Sequence, residues 1–120
     1  MLPRILAVDF DGTLFENGYP GVGAPIVAPD GERLLDKVIR LQQQGWYIIL
    51  WSCREGGPLL KATREAARHG LVFDAVNRNH PDAHLAFGLA ANDRDRPRKV
   101  FAHRYLDDRA LEPERFSELK

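Results

Sequence analysis

Two aspartates two positions apart, Asp9 and Asp11, follow directly on four apolar residues, Ile5-Leu6-Ala7-Val8. A second acidic pair, Asp107-Asp108, follows on the run Val100 to Leu106. In extended chain, residues two apart point the same way, so Asp9 and Asp11 are expected on one side while Phe10 turns to a core. Gly12 lets the backbone leave the strand sharply. Carboxylates this close repel unless a cation sits among them. A hard cation such as Mg²⁺ suits them, since it prefers oxygen ligands and keeps several waters. Asp9, Asp11 and Asp107 are the expected metal carboxylates, with Asp108 a ligand through water or the partner of a lysine. A phosphate fits as the remaining ligand. Ser52, after another apolar run, is placed to donate its hydroxyl to that phosphate, together with backbone N–H groups of the turns after Asp9 and Ser52. Lys99 would add a positive charge.

Hydrolysis of a phosphate ester is among the slowest uncatalysed reactions, so charge stabilisation, a nucleophile and a proton donor must all contribute. A carboxylate nucleophile divides the reaction into two steps through an aspartyl-phosphate. Asp9 is the candidate nucleophile. Asp11 is the candidate acid that protonates the leaving oxygen and then the base that deprotonates water. Asp-x-Asp-Gly is also an ordinary turn signature; what argues for chemistry is that three apolar runs each end in such residues.

The elements that would bring those ends together can be read from the periodicity. Ile5–Val8, Tyr47–Trp51, Leu71–Val76 and Val100–Leu106 read as strands, the first two continuously apolar and therefore buried on both faces. A helix is predicted from Asp30 or Gly31 to near Gly45 on Leu34, Leu35, Val38 and Leu41, and another from Pro58 to Gly70 with a small-residue face. Residues 77–97 read as loop with a short helix, and Pro113–Leu119 as a last short helix. Leu14 to Pro29, rich in Gly and Pro, reads as a flap over the end of the first strand. The fourth strand carries His103 and Arg104 and is expected at an edge. Alternating strands and helices predict an α/β fold with a parallel sheet, whose functional crevice lies beyond the carboxyl ends of the strands.

Composition narrows the function classes. Seventeen basic residues balance seventeen acidic ones in a chain of 120 residues, which argues against a protein that mainly coats nucleic acid or anionic membrane. One cysteine, Cys53, permits no internal disulfide and points to an intracellular, cytoplasmic setting. No apolar run approaches the ~20 residues that span a bilayer. The length suits one domain, residues 1–120.

With the residues in view, Asp9-Phe10-Asp11-Gly12-Thr13 resembles motif I of the haloacid dehalogenase superfamily. Ser52 resembles motif II, Lys99 motif III and Asp107-Asp108 motif IV, in the family's order. The resemblance implies a Rossmann-like three-layer sandwich around a central parallel sheet and a Mg²⁺-dependent phosphotransfer activity. It agrees with the roles argued for Asp9 and Asp11, and the acid at position 11 favours phosphate over dehalogenation chemistry. Family members usually carry a cap domain. About 38 residues separate Thr13 from Ser52, too few for a folded cap beside a strand and helix, so the chain resembles a capless minimal core. An open site admits large substrates such as a polynucleotide end or a phosphoprotein, or is closed by a second subunit. The expected function is a Mg²⁺-dependent phosphatase. The alternatives are a non-catalytic phospho-ligand or protein-binding module, and a phosphotransferase acting on a sugar hydroxyl.

Other residues carry weaker readings. Arg54 reads as a solvated turn residue, or as a contact to a substrate anion. A cysteine phosphatase would place a basic partner six residues after Cys53, where Leu59 stands. Arg94, Arg96, Arg98 and Arg104 interleave with Asp93 and Asp95, as in a solvated loop. Asn77 to His80 lie where substrate-contacting loops belong. Trp46 and Trp51 read as core.

Overall fold

The computed structural model describes residues 2–86 and 99–109. The helix expected over Pro113–Leu119, the basic residues Arg94, Arg96 and Arg98, and residues 87–97 of the expected loop lie outside them.

Among the described residues, four short strands form one parallel sheet. β1 (Ile5–Val8) is buried throughout and is flanked by β2 (Tyr47–Leu50) and β4 (Arg104–Leu106), with β3 (Ala75–Val76) beyond β2, giving the order β3-β2-β1-β4. Val8 is level with both Leu50 and Leu106. The ladder continues one step further, since Asp9 N–H donates to Leu106 O and Trp51 N–H to Val8 O. Asp9, Trp51 and Asp107 therefore leave the sheet side by side.

Alternation along β1 divides the core. Leu6, Val8 and Phe10 join one cluster, into which helix α1 (Leu34–Gln43) sends Leu35 and Val38 and helix α2 (Gly56–Arg68) sends Ala62 and Ala66. Ile5 and Ala7 join a second cluster on the opposite face with Ile49, Ala75, Val100 and Ala102. Both helices lie on one face because β1-to-β2 and β2-to-β3 step in the same direction. The path from β3 to β4 steps back past β1 by way of helix α3 (Pro81–Ala86). The order of strands thus reverses between β1 and β4, the position where α/β sheets open a crevice.

Several elements begin at other residues than their sequence pattern suggests, and in the two strands a side chain takes over a ladder position. The Asp74 carboxylate accepts the Ile48 N–H at 2.7 Å, so β3 pairs only through Ala75 and Val76 rather than from Leu71. Ile5 N–H donates to Nδ1 of His103 at 2.9 Å instead of to a carbonyl, so β4 begins at Arg104 rather than Val100. β4 does stand at the edge of the described sheet. α1 starts at Leu34 rather than Asp30, because Asp30 accepts the Glu32 N–H in a local turn and Val27 bridges Arg33. α2 starts two residues before Pro58, which falls in the first turn where no N–H is needed.

The Gly- and Pro-rich segment after β1 forms a small antiparallel arm. Glu16 N–H donates to Ala24 O at 2.7 Å and Ile26 N–H to Leu14 O at 2.9 Å. Leu14 and Phe15 are fully buried at its base, and Asn17 and Tyr19 further along line the same cavity as Asp9 at the end of β1, where a flap was expected.

Candidate active site at the carboxyl ends of the strands

The chain leaves β1 through a tight turn. The N–H groups of Leu14 and Phe15 both return to Phe10 O, and Gly12 takes a φ of +82° that L side chains rarely adopt. A Cβ on Gly12 would also lie 2.5 Å from an Asp108 carboxylate oxygen. A side chain at position 12 would push that carboxylate aside, so glycine leaves the acid after β4 room against the turn after β1. Buried Thr13 holds the two together: its hydroxyl donates to Asp108 Oδ1 at 3.3 Å and accepts the Asp108 N–H at 3.1 Å.

Carboxylate oxygens of Asp9, Asp107 and Asp108 come within 4.8 Å of one another. Asp107 is further oriented by accepting the Arg109 N–H at 2.9 Å. Burial pushes the Asp9 carboxyl up to about 6; the neighbouring charges of Asp107 and Asp108 add to this, and a hydrogen bond from Phe10 N–H opposes it. Three carboxylates without a cation among them form an oxygen-only donor set that fits a hard divalent ion such as Mg²⁺.

Asp11 is not part of that group. Arg54 Nε and Nη2 donate to its two oxygens, both at 2.7 Å, in a bidentate pair. Arg54 is neither a solvated turn residue nor free to meet an anion: it is 3% exposed. Its remaining N–H groups go to the carbonyls of Pro20, Gly21 and Pro58, so all five donors are satisfied. The rings of Phe10 and Tyr19 lie 5.1 and 5.3 Å from the guanidinium carbon. One buried cation thus ties the acidic turn, the flap and the start of α2 together.

Ser52 follows β2 and is held by Asn77, whose side-chain amide accepts the Ser52 N–H at 2.8 Å and donates to Ser52 O at 2.9 Å. The Ser52 hydroxyl oxygen accepts the Arg54 N–H at 3.1 Å, which leaves its proton free to donate. Among the described residues, the backbone N–H groups of Asp11 and Cys53 make no hydrogen bond. Both residues line a cavity of about 720 Å³, together with Asp9, Ser52, Asp107 and Arg109. Lys99 does not line it. Lys99 borders a smaller hollow of about 240 Å³ that shares only Trp51 and Asp107 with the first, and its Nζ lies 5.7 Å from the Tyr105 ring centre. Arg109 lines the main cavity beside the paired Arg54, and its own guanidinium has no carboxylate partner among the described residues.

Most of the chain has a counterpart of known structure. A conserved protein from Bacteroides thetaiotaomicron is similar at 36% identity, with a TM-score of 0.70, over 89% of this chain and 77% of that one. The chain belongs to the family of that protein. No protein-family model and no curated protein matches it. The likeness to the Bacteroides protein is one of sequence and fold together, so the sheet that carries these strand ends is a family scaffold.

Reading the sequence alone gave no role at the site to Asn17, Tyr19 or Arg109, and did not foresee what Thr13, Trp51 and Asn77 do there. Thr13 and Asn77 each make two hydrogen bonds to one residue distant in the chain. Tyr19 and Trp51 line the cavity; Trp51 packs against the second core cluster as expected, and its place at the cavity is the part not foreseen. Its position one residue past a buried strand, level with Asp9, is the signal that could have found it. Among the described residues, no helix is long and apolar enough to cross a membrane.

Proposed function

We propose that this protein is a Mg²⁺-dependent phosphohydrolase of the haloacid dehalogenase type, cleaving a phosphate monoester through an aspartyl-phosphate on Asp9. The observation that carries the reading is the meeting of Asp9 with Asp107 and Asp108, within 4.8 Å, beside a cavity that also presents two open backbone amides.

Asp9, Asp107 and Asp108 would hold the ion. When bound, Mg²⁺ would offset the carboxylate charge and that of the phosphate oxygens. The N–H groups of Asp11 and Cys53, the Ser52 hydroxyl and Arg109 would receive those oxygens. An Asp9 carboxylate oxygen attacks phosphorus, and the ester P–O bond breaks as the leaving oxygen takes a proton from Asp11. Water then attacks the phosphorus, giving its proton to Asp11, and the bond to Asp9 breaks to release phosphate. Each Asp11 oxygen retains a lone pair beyond the one Arg54 occupies; in the acid form the proton sits on one of these, and the contact with Arg54 is then a hydrogen bond rather than an ion pair.

An aryl phosphate supplied with Mg²⁺ should be turned over, and Asp9→Asn should abolish turnover while circular dichroism stays that of the parent. Aluminium fluoride with Mg²⁺ should bind the parent and not the variant. Retained turnover in Asp9→Asn would remove Asp9 as nucleophile. A chain that serves only as a phospho-ligand scaffold would show neither turnover nor fluoride binding.

A further inference from the structure

The cavity has walls that the phosphate chemistry does not use, formed by Asn17, Tyr19 and Trp51. Tyr19 is 60% exposed, yet it is not loose. Its ring rests on the Arg54 guanidinium, which is fixed by five hydrogen bonds and backed by the Phe10 ring. The stack Phe10–Arg54–Tyr19 therefore presents an aromatic surface at the cavity on a rigid base. A side chain already held in place loses little freedom when a planar group stacks on it, and such stacking is worth about five- to 150-fold in affinity per base.

Beside it, Asn17 Oδ1 accepts the Tyr19 N–H at 3.1 Å. That bond uses the acceptor of the Asn17 amide and leaves its NH₂ as a donor at the cavity wall. A bare phenyl ring has nothing to receive it, whereas a heterocyclic base carries ring nitrogens and carbonyls that do. A cavity of about 720 Å³ also exceeds what a phosphate alone would fill.

From these contacts we infer that the organic part of the substrate is a heterocyclic base, so that the ester is a nucleoside monophosphate with its base stacked on Tyr19 and hydrogen-bonded to Asn17. The inference rests on the phosphohydrolase reading for the placement of the phosphate. Tyr19 and Asn17 then determine specificity and Asp9 the reaction.

The test compares adenosine 5′-monophosphate, phenyl phosphate and glycerol 3-phosphate with Mg²⁺, in the parent, Tyr19→Ala, Tyr19→Phe and Asn17→Ala. The parent should favour adenosine monophosphate over glycerol phosphate in kcat/KM by tenfold or more. Tyr19→Ala should shrink that preference about tenfold and Tyr19→Phe should keep it. Asn17→Ala should lower the preference for adenosine over phenyl phosphate. Calorimetric titration of Asp9→Asn with adenosine monophosphate, with and without Tyr19→Ala, reads base binding without turnover. Binding that Tyr19→Ala weakens, in a protein that hydrolyses no phosphate, would support the base site and overturn the phosphohydrolase reading. Turnover of all three esters without preference, or equal losses on all three in Tyr19→Ala, would overturn the base site and leave the hydrolase reading standing. Equal adenosine monophosphate affinity in Asp9→Asn with and without Tyr19→Ala would likewise overturn it.

Discussion

At the scale of single residues, Thr13 decides whether the acids after β1 and β4 meet. It is 3% exposed and spends both its donor and its acceptor on Asp108. Valine has nearly its shape and neither function. Thr13→Val should therefore keep the fold and leave the Asp108 carboxylate unanchored. Groups that orient ligands in this way are worth about 10- to 100-fold in metal affinity. Calorimetric titration with Mg²⁺ should show a loss of about tenfold, and an unchanged affinity would take Asp108 out of the metal set. Asp11 was expected to share the side of Asp9 and the same ion; it lines the same cavity but stands outside the group of acids that could hold the ion. That expectation assumed that extended chain continues to residue 11. The strand ends at Val8, and the turn closed on Phe10 O carries Asp11 toward Arg54 instead.

At the scale of elements, the flap is joined to the sheet through a buried ion pair. Arg54 binds Asp11 on one side and the carbonyls of Pro20 and Gly21 on the other. Removing one partner of such a pair leaves a charge without compensation, at a cost of about 3 kcal/mol or more. Arg54→Met should lower the urea midpoint accordingly. Arg54→Lys should fare little better, because three donors on one nitrogen cannot reach both the carboxylate and the flap. Lysine restoring full stability would mean that charge alone, and not the fork of donors, holds the flap. None of this was visible in the turn Ser52-Cys53-Arg54, because Asp11 and the flap carbonyls that Arg54 binds lie 33 to 43 residues away.

At the scale of the whole molecule, the crowded acids should make stability depend on pH and on metal together. The Asp9 carboxyl stands at about 6 in the folded chain against an ordinary 3.8. The folded state therefore binds this proton more tightly than the unfolded state. Its contribution to stability is full below about 4 and is lost as pH rises through 6. In the presence of a chelator, the urea midpoint of the parent should fall between pH 4 and pH 7 by more than that of Asp9→Asn. Mg²⁺ should reverse the loss at pH 7, by about 2.7 kcal/mol at a concentration 100 times its Kd. Equal pH profiles for the two proteins would mean that Asp9 is not strained by its neighbours. What the sequence by itself determined was the list of strand ends: apolar runs are local signals, and parallel pairing brings the residues after them level, so Asp9, Ser52 and Asp107 were legible at one sheet edge. Only the tertiary structure decided the partners at that edge. Asp11 could have faced the ion and Lys99 the cavity, but buried donors must be satisfied by whatever acceptors converge on them. The flap carbonyls and the Asp11 carboxylate converge on Arg54, and no local pattern records that meeting.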